Sequence, residues 1–414
     1  MITKTNLLFG IIFICLSACS HEQESKEKVA RTGALNSFEQ DIEFLSQYTT
    51  LHLLEDSSGQ GTIAISPALQ ARVMTSSASG MQGVSFGWIN RELFASGDTL
   101  PHINPYGGEE RFWLGPEGGQ FALFFQKGSG FDLDNWQTPV LIDLEPFQLI
   151  SKTTTHAEYS KQASITNYSG FVFDLDIRRR IEILELDEVF GSLELEKNPL
   201  LKAVGYRTTN IVTNIGENDW KKDSGLISIW LLGMFTPSDA TTVLVPFVKG
   251  DEQELGPEVN DNYFGKVPLD RLKIGDGVIF FKGDGKARGK IGLSANRAKD
   301  IIGSYDAVHH ILTVVKYSKP DKPAAYVNSL WEIQEQPYHG DVVNSYNDGP
   351  LSPAGSQMGP FYELESSSPA LALQAGESGT HTQTTYHFEG STDQLDAVAQ
   401  ILFGVTLQQI ASAF

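Results

Sequence analysis

Apolar residues recur with two different periods along this chain. Phe38, Ile42 and Leu45 fall at helical spacing behind Ser37 and Gln40, which stand three apart as a capping box, so a short helix is predicted to open the folded body. Beyond it the period shortens to two. Segments 62–66, 72–76, 121–126, 171–177, 181–186, 204–212, 226–235, 241–248, 277–282, 311–317, 325–333, 361–365 and 382–388 are rich in Val, Ile, Phe and Tyr and are separated by Gly, Pro, Asn and Asp clusters; they predict strands. The strands do not alternate with helices as a parallel sheet requires, so the predicted fold is all-β, a large antiparallel β-sandwich. Thr392 as N-cap, with Leu395, Val398, Ile401, Leu402 and Val405 on one face, predicts a terminal helix packed on that sandwich. The acidic, loop-like stretch 249–276 is expected to run over one sheet.

The first residues follow neither period. Lys4 precedes an unbroken apolar stretch from Leu7 to Leu16, ten residues that at about 1.5 Å each cover only half a bilayer core, which reads as a secretory signal and not a membrane helix. Leu16-Ser17-Ala18-Cys19 is similar to the lipobox of bacterial lipoproteins, a resemblance that implies cleavage before Cys19 and diacylglycerol on its thiol. Residues 20–31 are polar and predict a flexible tether. The expected organisation is a signal peptide over 1–18, a lipidated tether over 19–35 and a single β-sandwich domain with terminal helices over 36–414. The expected location is the bacterial cell envelope, by lipid anchor; Ser20, where an aspartate would mark inner-membrane retention, points to the outer membrane.

Composition removes several classes of function. With 31 basic against 51 acidic residues the formal charge is −20, a field that repels nucleic acid and anionic lipid, so no nucleic-acid partner is expected and membrane contact only through the anchor. Cys15 and Cys19 are the only cysteines, so the body after the leader has no disulfide to rely on. There is no nucleophile elbow, phosphate loop or dinucleotide fingerprint.

Three groups of residues carry candidate chemistry. Glu363 and Glu365 are two apart on a predicted strand, hence on one face and about 6.6 Å apart. Carboxylates that close raise the proton affinity of one of them, as a general acid or base near neutral pH requires; alternatively both face solvent while Leu364 enters the core. Arg111, Trp113 and Glu117 lie in a Gly-rich stretch where little regular strand is expected. An aromatic face and a guanidinium fork suit a saccharide; the other reading is a structural loop with Trp113 in the core. Segment 282–299 is basic in an acidic chain, and its Arg288, Lys290 and Arg297 suit a uronate or sulfated sugar, unless the segment is a solvated hairpin. His310, or His156, is the lone-histidine candidate for a general acid. His309 and His310 leave a strand on opposite faces, and His381 and His387 lie about 20 Å apart along one, so no metal site and no other cofactor is expected.

Ordered motifs add a resemblance. They run from Ile65-Ser66-Pro67 and Arg72-Val73 through Tyr106-Gly107-Gly108-Glu109-Glu110-Arg111-Phe112-Trp113-Leu114-Gly115-Pro116-Glu117-Gly118-Gly119. Thr209-Asn210, Asn214-Ile215-Gly216, Trp230 and Pro246 follow, then Gly359-Pro360-Phe361-Tyr362-Glu363-Leu364-Glu365, Pro369, Ala375-Gly376-Glu377-Ser378 and Tyr386-His387-Phe388. The order resembles the galactose mutarotase-like superfamily, in particular a branch of exported bacterial proteins with a domain of unknown function, over about residues 62–388. The resemblance implies that superfamily's supersandwich, a saccharide ligand and a catalytic glutamate on a late strand, with Glu365 nearest the aligned position. Ala375 replaces the proline of the family's turn, and the Asn-His-x-x-Tyr motif of its epimerases is absent from the sequence. The expected function is therefore proton-transfer chemistry of epimerase or lyase type on a sugar or uronate; the rival is a non-catalytic glycan-binding lipoprotein.

Overall fold

The strand-forming residues after Ser37 assemble into three antiparallel sheets among the described residues. The structure, a computed structural model, describes residues 35–351 and 355–414. The expected leader, Cys19 and the tether up to residue 34 lie outside the described residues. Ser37–Phe414 is one compact unit, and among its described residues no helix is long and apolar enough to cross a membrane.

A small sheet joins β1 (His52–Glu55), β2 (Thr62–Ser66) and β3 (Arg72–Ser77). A ten-stranded sheet contains β5 (Gln148–Lys152), β6 (His156–Thr166), β7 (Val172–Ile183), β8 (Lys202–Asn214), β10 (Thr241–Pro246), β11 (Leu272–Ile274), β12 (Val278–Lys282), β14 (Ile301–Asp306), β15 (Ile311–Tyr317) and β18 (Ser378–Glu389). A five-stranded sheet runs in the order β13 (Gly289–Ser294), β16 (Asp341–Asn347), β17 (Tyr362–Ser367), β9 (Ser228–Phe235) and β4 (Arg111–Gly115). The fold is thus an all-β antiparallel sandwich, as the period-two pattern predicts.

Alternation along the strands decides what each face meets. Val243 and Val245 of β10, Ile302 of β14 and Val315 of β15 pack against Ile291 of β13, Val343 of β16 and Tyr362 and Leu364 of β17, forming the core between the two large sheets. Their neighbours Leu244, Val314, Tyr386 and Phe388 point the other way and are covered by Leu395, Val398 and Phe403 of the helix Thr392–Phe403 and Ile410 of the helix Leu407–Ala411. The opening helix, Phe38–Leu45, has the predicted capping box, with the Gln40 N–H donating to the Ser37 hydroxyl (3.3 Å) and the Ser37 N–H to the Gln40 side chain (3.0 Å).

Several predicted elements differ. Segment 121–126 is a run of turns and bends whose Ala122 to Phe125 are buried, and 325–333 is loop, buried only at Tyr326 and Val327, with Tyr326 making a single bridge to His339. Predicted segments 171–177 and 181–186 belong largely to one strand, β7, because the intervening arginines are accommodated singly: Arg178 points outward, Arg179 is buried, and Arg180 pairs with Glu158 and Glu182. Residues 111–115, expected to be irregular, form β4, whose Gly and Pro neighbours fall outside the ladder. The terminal helix is capped by Ser391, one residue earlier than Thr392.

A polar seam crosses the interior. Glu110 pairs with Arg179 (3.0 Å), Glu109 with His387 (3.0 Å), and the His381 ring with the Ser366 hydroxyl (2.8 Å). Burial lowers the His381 pKa from 6.5 to about 3. An unfolded chain takes up a proton in that window which folded His381 refuses, so its contribution to stability is full above about 6.5 and is lost as pH falls toward 3. In His381→Gln, urea unfolding midpoints measured from about pH 4.5 to 7 are expected to fall less steeply on the acid side than in wild type. An unchanged acid slope would contradict this role.

Candidate functional site

The register of the five-stranded sheet gathers the site. Lys290 of β13 pairs with Tyr346 of β16, Tyr346 with Glu363 of β17, and Glu363 with Met234 of β9. One row along, Glu365 pairs with Leu232 and Leu232 with Arg111 of β4; in the next, Trp230 pairs with Trp113. Residues opposite one another share a face, so these side chains all leave the sheet on the side away from the sandwich core. All of them but the more deeply buried Glu365 floor a cavity of about 400 Å³. Loops bring its roof: Leu100 to Ile103, Pro105, Trp136, Phe264, Trp331, Asp348, Gly349, Leu351 and Ser356 to Met358 line it from above.

Local chemistry fixes those loops. The His102 ring bonds to the carbonyl of Trp136 (2.7 Å) and the Thr138 N–H donates to the carbonyl of His102 (2.8 Å), which ties two roof segments together. Tyr263 donates to Asp341 (2.7 Å) and so orients the neighbouring Phe264; burial raises the Asp341 pKa to about 6. Gly118 lets the 116–119 turn approach the 329–331 loop, since a Cβ there would stand 2.3 Å from the Leu330 carbonyl oxygen. That approach places Glu117 beside Trp331.

The lining is aromatic with embedded charges. Trp113, Trp136, Trp230 and Trp331 all contribute, four of the six tryptophans in the chain. Arg111 forms an ion pair with Glu363 and lies 4.7 Å from the Trp113 ring centroid. Lys290 donates to Glu365 (2.9 Å) from a position 4.7 Å from the Trp230 ring centroid, and the Trp230 indole N–H donates to the same carboxylate (3.0 Å). Burial raises the Glu363 pKa, opposed by Arg111 and reinforced by Glu365. Burial also raises Glu117, opposed by Lys290, with Glu365 again pushing upward. Lys290 is held charged: burial lowers its pKa, and the attraction of Glu365 and Glu117 more than offsets that.

The structure brings Arg111, Trp113, Glu117, Arg288, Lys290 and Glu363 around one cavity. Four expected residues are elsewhere. Glu365 shares the Glu363 face but is fully buried beneath the lining, with one carboxylate oxygen accepting from Lys290 and Trp230 and the other without a partner among the described residues. Arg297 lies beyond the end of β13 and donates to the carbonyls of Val248 (2.8 Å) and Gly256 (2.7 Å), stapling a loop. His310 is exposed in the β14–β15 turn at φ 54°, and His156 begins β6 beside Thr153; neither lines the cavity. Trp136, Trp331, Phe264, Tyr346 and Asp348 were not singled out by the sequence. The concentration of tryptophan in irregular segments was the available signal. Among the described residues no group of three His, Cys, Asp or Glu side chains is arranged to hold a metal ion.

These features define an antiparallel β-sandwich protein with an aromatic, charge-bearing cavity on the outer face of one sheet. The chain belongs to a family of unknown function, DUF6786, whose pattern matches residues 36–414. No curated protein matches it. Similar solved structures include a proposed aldose 1-epimerase from Escherichia coli K12, 12% identical, covering 82% of this chain and 99% of that one with a TM-score of 0.49. A galactose mutarotase-like protein from Lactobacillus casei is 10% identical, with 82% and 100% covered and a TM-score of 0.46. A galactose mutarotase related enzyme from Lactobacillus acidophilus is 9% identical, with 83% and 99% covered and a TM-score of 0.45. Likeness at this level transfers no chemistry.

Proposed function

We propose that this protein acts on a saccharide held in the cavity of the five-stranded sheet, by proton transfer of epimerase or lyase type, at the cell envelope to which Cys19 anchors it. The observation that carries the reading is the juxtaposition of four tryptophans with two cavity carboxylates in different surroundings: Glu363 beside Arg111, and Glu117 beside Trp331 with no cation bonded to it among the described residues. Tryptophan faces stack on the apolar faces of sugar rings, and a volume of about 400 Å³ suits a small ligand.

Glu363 is the proposed base. It takes a proton from a carbon next to a carbonyl or carboxyl group, and the electron pair left behind moves onto that group's oxygen. Lys290 and Arg111, charged and fixed, stabilise the developing negative charge. Glu117 is the proposed acid. Returning a proton to the opposite face of the carbon gives epimerisation; protonating a departing oxygen at the neighbouring carbon gives elimination, with the new double bond taking the electron pair.

Incubation with a panel of neutral and acidic oligosaccharides, followed by NMR of the ring protons and by absorbance of unsaturated uronates, tests the reading. Exchange of one ring proton for solvent deuterium is expected. Binding without exchange or turnover would leave a glycan-binding protein, and absence of both would remove the saccharide altogether.

The raised Glu363 pKa sets the pH dependence. A base works ionised, so kcat/KM is expected to climb with pH through a range above that of an ordinary carboxylate, which is ionised by about pH 5. Glu117 works protonated, and burial that raises its pKa favours that form; it supplies the falling limb, which Glu117→Gln is expected to lose. Full activity at about pH 5 would exclude Glu363 as the base.

A further inference from the structure

We infer that the saccharide carries a carboxylate and that Arg288 is the residue that recognises it. The inference rests on the cavity being a saccharide site and adds the charge of the ligand.

Three cations line the cavity, and two are already neutralised one to one: Arg111 by Glu363 and Lys290 by Glu365. Arg288 differs. Among the described residues no carboxylate lies within ion-pair distance of it. Its guanidinium carbon sits 3.7 Å from the Phe264 ring centroid, which fixes the plane of the fork, and it also meets the Tyr346 hydroxyl. The nearby Asp348 is served by other groups, accepting from Tyr346 (2.6 Å) and from the Gly359 N–H (3.0 Å). The Arg288 Nε–H is buried without an acceptor. Arg72, Arg111 and Arg179 also have an unpartnered Nε, but Arg111 and Arg179 each give a terminal nitrogen to a carboxylate, and fully buried Arg72 gives both of its terminal nitrogens to the Gly107 carbonyl (2.9 Å) and the Gln70 side chain (3.0 Å). A half-buried guanidinium clamped flat against an aromatic ring, with its Nε–H unspent and no carboxylate partner, is arranged for a planar acceptor that arrives with the ligand.

The surrounding charge narrows that acceptor. Glu363 and Asp348 line the same cavity, so a dianionic phosphate meets more repulsion than a carboxylate, which brings one charge and matches the fork bidentately. A carboxylate on the ring also acidifies the adjacent carbon's proton, the proton that Glu363 is placed to take. The substrate class is a uronic acid or a glycan ending in one.

Calorimetric titration of the full-length protein with D-glucuronate, D-galacturonate, D-glucose, D-galactose and D-glucose 6-sulfate tests this. At least one uronate is expected to bind about tenfold or more tightly than its neutral counterpart, the effect of one charge-assisted contact. Arg288→Gln is expected to weaken the uronate about tenfold or more relative to its neutral counterpart and so abolish that preference. A neutral sugar binding as tightly as its uronate in wild type overturns the carboxylate assignment and leaves the saccharide reading intact, as does a sulfate ester binding as tightly as the uronates. A uronate preference unchanged in Arg288→Gln overturns the role of Arg288. Should that variant fail to fold, the wild-type comparison still decides the ligand's charge. Binding of none of the five sugars overturns both this inference and the saccharide reading.

Discussion

Glu363→Gln is expected to reduce turnover by about 10²- to 10⁴-fold, the usual contribution of a positioned general base. Glutamine keeps the size and the acceptor oxygen of the side chain, so Arg111 retains one partner and the cavity its shape; what disappears is the proton acceptor. The loss should therefore fall in kcat, with ligand affinity changed little, and solvent-deuterium exchange at the reacting carbon should vanish with it. Glu365→Gln acts differently. Its carboxylate lies beneath the lining, bonded to Lys290 and Trp230, so removing its charge disturbs the position and proton affinity of Lys290 and lowers activity through that residue. A Glu363→Gln protein with wild-type kcat would eliminate this base, and folding of both variants is checked by their unfolding transitions.

Arg179→Met is expected to lower the unfolding free energy by about 3–5 kcal/mol, because it strands Glu110 without its cation in a site closed to water. Both members of the pair have fully buried side chains, at 0% exposure. The pair also reaches further than its two strands: Arg179 of β7 bonds Asn210 of β8 (2.8 Å), while Glu110 accepts from Gln383 of β18 (3.1 Å). Adding Glu110→Gln should recover part of the loss, since the second change removes the uncompensated charge; denaturant unfolding of both single variants and the double measures the coupling. Additive losses would mean that the ion pair is not the cause. Glu110 immediately precedes Arg111, and Glu109 is anchored to His387 and to the Ser76 hydroxyl (2.8 Å). The seam therefore seats the edge strand β4 that presents Arg111 and Trp113 to the cavity, and partial loss of ligand affinity is expected to accompany the loss of stability.

How far the sequence could be read depended on the range of the interactions involved. The capping box at Ser37 and Gln40 and the alternation that turns Glu363 and Glu365 away from Leu364 are near-neighbour effects, visible in a few consecutive residues. Strand β4 was hidden by its glycine-rich surroundings, because its pairing with β9 is made by residues more than a hundred positions later. Trp136, Trp331 and Phe264 gave no periodic signal, since each sits on a loop whose place is set by bonds to residues distant in sequence.

The sequence by itself determined an all-β body with helices at its ends, and a pair of glutamates sharing one strand face. It also marked Arg111, Trp113, Glu117, Arg288 and Lys290 as candidates. Only the tertiary structure decided that these residues meet on one face of one sheet, that Glu363 lines the cavity while Glu365 supports Lys290, and that Arg297 and His310 lie apart. The physical reason is cross-strand register: spacing along a chain fixes which way a side chain points, whereas the neighbours it meets are set by strands hydrogen-bonded across large separations in sequence.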